Sequence, residues 1–221
     1  MSTSPGRCYH CDLRYVGAHG RPTAYRWRRD RARSLGALGD LGSHAIDLAR
    51  WYVGEIARVS AHLGFYVDCT GPEWKGRLPA NDAAQLNVVF EDGAQGAIHV
   101  SWLAHVGRRS QEQVVVLHGE DGTLEAEMSY LATEIRGVRW GEETFETLAV
   151  PDELWGAVDR DKPPFVRGLG VFVTQPVGDR LFVDCILEDR PAIPSFYNGL
   201  KVQQVMEAAI QSQERGCWVT L

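Results

Sequence analysis

The chain has 221 residues, of which 44% are hydrophobic and 24% charged, as in an ordinary globular protein rather than a disordered or fibrous one. Its 29 acidic residues outnumber its 23 lysines and arginines, which gives a formal net charge of −6. Nucleic acids and anionic membranes bind positive surfaces, so we expect neither as the main partner. The length suits one large domain and leaves little room for two full α/β domains.

The five cysteines are odd in number and widely scattered, and the sequence shows no secretory signal. We therefore expect reduced thiols in a cytoplasmic protein. Cys8 and Cys11 have the spacing of half a zinc site, but no second pair of ligands follows, so no metal is predicted. No apolar stretch is long enough to span a bilayer.

The first elements can be read in chain order. Residues 1–7 are interpreted as a flexible N-terminus and 8–221 as a single domain, which begins with a strand over 8–16. Apolar residues at helical spacing predict a helix over 43–53 that ends at Gly54. Apolar and polar residues then alternate, which predicts a half-buried strand over 59–67.

Further strands and then helices complete the predicted fold. Turn residues separate the strand segments 84–90, 96–103, 113–118, 123–128, 133–138 and 144–149. An apolar helical segment over 165–187 is interrupted at Pro176, and a final amphipathic helix over 197–215 is closed by Gly216. This order predicts one α+β domain with helices on a face of the sheet.

The segment 36–47 carries the most informative polar pair. Asp40 and His44 are four residues apart at the start of the predicted helix, so both side chains can project from one side. A carboxylate beside an imidazole is a usable proton-transfer pair, because histidine titrates near neutral pH. The alternative is structural: Asp40 as a helix cap and His44 as a satisfied buried histidine.

Two other segments carry candidate ligand-binding residues. Trp102 and His105 fall at the end of one strand and in the connection to the next, a common location for binding residues. Trp27 could stack on a sugar face, and Arg28 belongs to a cluster of six arginines over 21–33. That cluster could hold an anionic group or could be a solvated surface segment.

The motifs taken together resemble the C-terminal domain of the Gfo/Idh/MocA oxidoreductases. The resemblance rests on the segments 27–30, 39–48, 54–61, 81–83, 90–93, 118–123 and 194–208, in order along nearly the whole chain. It implies an open, mainly antiparallel β-sheet with helices packed on one face, and a homo-oligomer formed through the other. It also implies that Asp40 and His44 are the catalytic pair, that the substrate is a sugar, inositol or related polyol, and that the cofactor is NAD or NADP.

The resemblance also implies parts that this sequence does not contain. Family enzymes carry a glycine-rich Rossmann domain and a Glu-Lys-Pro motif, and neither pattern occurs here. Hydride transfer needs the nicotinamide held against the substrate, so we expect the chain to need a separate Rossmann-domain partner. The alternatives are a standalone oligomerisation or ligand-binding module, and a cofactor-independent dehydratase, epimerase or isomerase that uses Asp40 and His44.

Overall fold

A nine-stranded sheet organises the molecule. The computed structural model describes residues 5–221. The strands are β1 (Cys8–Gly17), β2 (Ile56–Gly64), β3 (Ala83–Phe90), β4 (Gln95–Ser101), β5 (Gln111–Gly119), β6 (Gly122–Ser129), β7 (Thr133–Arg139), β8 (Glu146–Thr147) and β9 (Val219–Thr220). Their order is β8-β7-β6-β5-β1-β4-β3-β2-β9, and every neighbouring pair is antiparallel except β1 and β4.

Apart from the short helix α2, which the sequence does not predict, the helices lie in the predicted segments. They are α1 (Ser43–Tyr52), α2 (Asp152–Trp155), α3 (Pro164–Thr174), α4 (Asp179–Leu187) and α5 (Phe196–Arg215). The break between α3 and α4 contains Pro176, which cannot continue a helix. Ser195 caps the start of α5, and Gly216 ends it in the left-handed conformation with φ 65°.

The hydrophobic core lies between one face of the sheet and the helices α1 and α5. Side chains alternate along β1 and β3, so that Leu13 and Leu86 face this core while their neighbours face outward. Ile46 of α1 and Ala209 of α5 close the core from the other side and are fully buried. The α+β fold, with a mainly antiparallel open sheet, is confirmed.

The opposite face of the sheet is polar near its centre. His62, Gln85, His99 and Arg14 are cross-strand neighbours on β2, β3, β4 and β1, and all four are exposed. This is the face through which the family resemblance implies a homo-oligomer, and that association stays a prediction.

Two predicted strands differ from the structure at their ends. The strand predicted over 59–67 ends at Gly64, because the backbone N–H groups of Tyr66 and Val67 donate to the Asp82 carboxylate, both at 2.9 Å, instead of to a neighbouring strand. The strand predicted over 144–149 is reduced to Glu146–Thr147 at the sheet edge.

The first residues bear on the predicted flexible N-terminus. Residues 1–4 lie outside the described part of the chain. The carbonyl groups of Pro5 and Arg7 accept hydrogen bonds from the backbone of Asp121 and Glu120, at 2.8 and 3.0 Å, in the turn between β5 and β6.

Among the described helices, none is both long and apolar enough to cross a membrane.

Candidate functional site

Asp40 lies in an unusual turn directly before α1. Residues Leu38–Gly42 form a π-helix, whose i→i+5 hydrogen bonding is rare and often marks functional sites. The side chain of Asn81 holds the start of this turn: its Oδ1 accepts from the Leu38 N–H at 2.9 Å, and its Nδ2 donates to the Leu35 carbonyl at 2.6 Å. Asn81 thus fixes the backbone that presents Asp40.

The parallel pairing of β1 with β4 supplies two partners for Asp40. Parallel strands end at the same edge of a sheet, so His19, which follows β1, and Trp102, which follows β4, lie side by side with ring centroids 5.7 Å apart. The Trp102 indole N–H donates to Asp40 Oδ2 at 3.0 Å, and His19 Nε2 lies 3.5 Å from the same oxygen. Trp102 is 2% exposed, which fixes the orientation of its indole.

Arg28 and Trp27 complete the surroundings of the carboxylate. Arg28 Nε lies 3.4 Å from Asp40 Oδ1, and the Arg28 guanidinium stacks over the Trp27 ring at 4.5 Å. Together with Asp40 they line a cavity of about 400 Å³, here called the Asp40 cavity, a size that suits a small molecule. Its lining residues are His19, Gly20, Arg26, Trp27, Arg28, Arg29, Asp40 and Trp102.

A buried ion pair holds one wall of the Asp40 cavity. The Arg29 guanidinium bonds to the carbonyl oxygens of Gly20, at 2.5 Å, and Pro22, and lies 3.3 Å from Asp82 Oδ1. The side chains of Arg29 and Asp82 are only 5% and 3% exposed. The loop over 19–29 is therefore tied to the sheet rather than free in solvent.

The electrostatics of the cavity favour an ionised Asp40. The neighbouring His19 imidazole is the largest influence and, with the Trp102 and Arg28 side chains, it holds the pKa of Asp40 below its usual value against the opposing effect of burial. Because the folded-state pKa lies below the unfolded one, these contacts stabilise the fold at neutral pH. That contribution is lost as the pH falls through the folded-state pKa.

Replacing His19 by alanine is expected to raise the pKa of Asp40 towards its usual value, because the largest stabilising contact of the carboxylate is removed. A carbon-detected NMR titration of the aspartate carboxyl groups measures this directly. His105→Ala is the matched control, since His105 does not line the Asp40 cavity. An unchanged Asp40 titration in His19→Ala would contradict the assigned contact.

His44 follows Asp40 by four residues in the chain and faces a different cavity. It is exposed at the start of α1, with its ring centroid 6.2 Å from that of Tyr15. It lines a second cavity of about 550 Å³, with Trp51 and the start of α5, including Ser195 and Asn198. Within the described part of the chain, no hydrogen bond or ion pair joins Asp40 to His44.

The predicted substrate-binding residues divide into two groups. Trp27, Arg28 and Trp102 come together in the Asp40 cavity. His105 is exposed after β4 and lines none of the cavities described here. The structure thus brings three of the four predicted contacts to Asp40 and leaves His105 apart.

A family model for the C-terminal alpha/beta domain of the Gfo/Idh/MocA oxidoreductases matches residues 6–221. The chain belongs to this family. Levoglucosan dehydrogenase of Pseudarthrobacter phenanthrenivorans is 27% identical over 90% of this chain and 54% of that protein. An uncharacterised oxidoreductase of Synechocystis is 26% identical over 93% of this chain and 55% of that protein.

Solved structures share the fold. Levoglucosan dehydrogenase in complex with NADH and levoglucosan superposes with a TM-score of 0.77 at 22% identity, covering 99% of this chain and 60% of that one. An oxidoreductase domain protein from Kribbella flavida superposes with a TM-score of 0.72 at 25% identity, covering 98% of this chain and 59% of that one. This Gfo/Idh/MocA chain therefore spans about half the length of the curated relatives it matches.

The glycines beside Asp40 do not form a nucleotide site in this Gfo/Idh/MocA domain. Gly36 has φ +63° and packs so closely on Asn81 that an added Cβ would lie 2.3 Å from its carbonyl oxygen. A Cβ on Gly39 or Gly42 would meet Leu35 or Leu38, so these glycines allow close packing of the chain on itself. Among residues 5–221, these glycines form no cradle for a dinucleotide phosphate.

The Cys8–Cys11 pair is also explained by packing. Cys11 is fully buried in the core, and burial raises the pKa of its thiol to about 12. A thiol with so high a pKa is a poor metal ligand, since metals bind the thiolate. Across the described residues, no three histidine, cysteine or acidic side chains come together as a candidate metal site.

Three residues of the cavity were not identified from the sequence as individual ligands. His19, Arg26 and Arg29 reach the site through the loop after β1, whose position depends on the parallel β1–β4 pair. The available signal was the segment Gly17–Gly20, a turn that follows a strand and contains a histidine.

Proposed function

We propose that this chain is the substrate-binding part of an NAD(P)-dependent oxidoreductase that acts on a sugar, inositol or related polyol. The proposal is supported most by one observation: an ionised carboxylate and two indoles line a single small-molecule cavity in a Gfo/Idh/MocA domain. Carbohydrate ligands need hydrogen-bond acceptors for their hydroxyl groups and apolar faces for their rings, and this cavity offers both.

Asp40 retains the capacity to bind a hydroxyl group. Its Oδ2 faces both Trp102 and His19, whereas Oδ1 has only the Arg28 contact at 3.4 Å. A carboxylate oxygen has two lone-pair directions, so Oδ1 can accept a further hydrogen bond from a substrate hydroxyl. Trp102 and His19 would hold the carboxylate in place while it does so.

We assign the proton-transfer step to His44, and we assign to Asp40 the orientation of the substrate. His44 is exposed on its own cavity, and an imidazole can act as general acid or base on a substrate hydroxyl or carbonyl. In this proposal the two residues act on one substrate from the two cavities that they line, rather than as a directly bonded pair.

The nicotinamide cofactor is expected to be held outside the residues described here. NAD or NADP would accept or supply the hydride, and a Rossmann domain, in the same or a separate polypeptide, would bind it. This chain contributes the substrate-orienting carboxylate, the proton-transferring imidazole and the walls of the cavity.

The substrate part of this proposal is tested by titrating the chain with levoglucosan, myo-inositol and neutral aldoses in a calorimeter. Asp40→Asn is expected to weaken binding at least about tenfold, because a hydrogen bond to a charged group contributes about 1.5–3 kcal/mol. Asp152→Asn is the control, since Asp152 is exposed and lines neither cavity. Equal affinity in Asp40→Asn and wild type would contradict the assignment of Asp40.

A further inference from the structure

The arginines of the Asp40 cavity leave an uncompensated positive charge. Arg26, Arg28 and Arg29 all line the cavity, against the single carboxylate of Asp40. Arg29 is paired with Asp82, and Arg28 with Asp40. The Arg26 backbone carbonyl accepts a hydrogen bond from the Arg29 N–H at 2.9 Å. In the described part of the chain, the Arg26 side chain has no hydrogen bond or ion pair, and the residue is exposed at the start of the cavity wall.

This local charge is opposite to that of the whole molecule. The chain carries a formal net charge of −6, so a positive cavity is not an incidental result of its composition. The wall that carries Arg26 is fixed by the buried Arg29, whose guanidinium donates hydrogen bonds to the carbonyl groups of Gly20 and Pro22. Arg26 therefore extends from an ordered loop rather than from a mobile tail.

From this arrangement we propose that the Asp40 cavity binds an anionic sugar, such as a hexuronate, with Arg26 binding the carboxylate. The planar guanidinium of arginine matches a carboxylate or a phosphate through two parallel hydrogen bonds. Asp40 and His19 would bind the hydroxyl groups of the same ligand, and the indoles would contact its ring. This inference rests on the proposed function, because it names the class of sugar that the site takes.

The arginine cluster then divides into distinct roles. Arg29 is structural, since its guanidinium is buried on backbone carbonyls and Asp82. Arg28 is stacked on Trp27 and positioned against Asp40. Arg21 is bound to the Leu103 carbonyl at 2.7 and 3.0 Å. Among the three arginines that line the Asp40 cavity, Arg26 is therefore the one left to meet a ligand.

The test compares aldose and uronate pairs: glucose with glucuronate, galactose with galacturonate and mannose with mannuronate. Calorimetric titration of the full chain is expected to show at least tenfold tighter binding of one uronate than of its aldose. Arg26→Ala should abolish this preference, Arg26→Lys should retain part of it, and added salt should reduce it. Arg160→Ala, which removes an exposed arginine paired with Asp152, should leave the preference unchanged.

The outcomes separate this inference from the function on which it rests. Aldose binding that depends on Asp40, with no preference for the uronate, would overturn the inference and leave the proposed function standing. A preference that persists in Arg26→Ala would also overturn it. Failure of every sugar to bind would overturn both. Glucose 6-phosphate is a further probe: Arg26-dependent binding tighter than that of glucuronate would support the anion site and identify a phosphate as its source.

Discussion

Replacing Asp82 by alanine is expected to lower the free energy of unfolding by about 3–5 kcal/mol, because it leaves the buried Arg29 guanidinium without its counter-charge. The same change removes the acceptor of the Tyr66 and Val67 N–H groups. For a protein of this length, each kcal/mol shifts the melting temperature by about 2–4 °C, so a fall of roughly 6–20 °C is expected. Thermal and denaturant unfolding followed by circular dichroism measure it.

The control for Asp82 is an ion pair on the surface. Glu125 lies 2.7 Å from Arg136, with both side chains partly exposed, and Glu125→Ala should cost no more than about 1 kcal/mol. The double variant Arg29→Met with Asp82→Ala should lose less free energy of unfolding than the two single variants lose together, because neither charge is then buried without its partner. Equal losses in Asp82→Ala and Glu125→Ala would contradict the buried pair.

Replacing Gly36 by alanine is expected to lower the free energy of unfolding by about 2–4 kcal/mol. Gly36 has φ +63°, and a Cβ there would lie 2.3 Å from the Asn81 carbonyl oxygen and 2.8 Å from its nitrogen. Overpacking of this kind costs about 1–3 kcal/mol, and the left-handed backbone adds about 1 kcal/mol for a residue with a side chain. Since Asn81 also holds the turn that carries Asp40, the same variant should weaken sugar binding.

A second glycine provides the matched control for Gly36. Gly199 lies in α5, and a Cβ there meets nothing within 4 Å. Gly199→Ala should therefore stabilise the protein by about 0.4–1 kcal/mol, because alanine favours the helix. Denaturant unfolding of the two variants distinguishes them by sign, and a neutral Gly36→Ala would contradict the close packing on Asn81.

Local patterns explain why most elements could be predicted from the sequence. Alternation of apolar side chains identifies β3 and β4, since one face of each is buried, and the Glu91-Asp92-Gly93 turn joins them. The end of α5 follows from Gly216, and the break before α4 from Pro176. Each of these signals depends on a few neighbouring residues only.

The candidate site could be predicted only in part, because its geometry depends on which strands pair. Spacing along one helix identifies Asp40 and His44, but it cannot show that β1 lies parallel to β4. That pairing places His19 against Asp40. The π-helical turn before α1 was likewise not indicated by composition, since it is fixed by Asn81 from a distant part of the chain.

NMR of the chain with ¹⁵N-labelled tryptophan can show whether a sugar binds in the Asp40 cavity. The protein has seven tryptophans, and two of them, Trp27 and Trp102, line this cavity. We expect titration with an aldose or uronate to shift these two indole resonances saturably and to leave that of Trp140, which is 88% exposed, unchanged. Saturable binding that leaves both cavity indoles unmoved would contradict it.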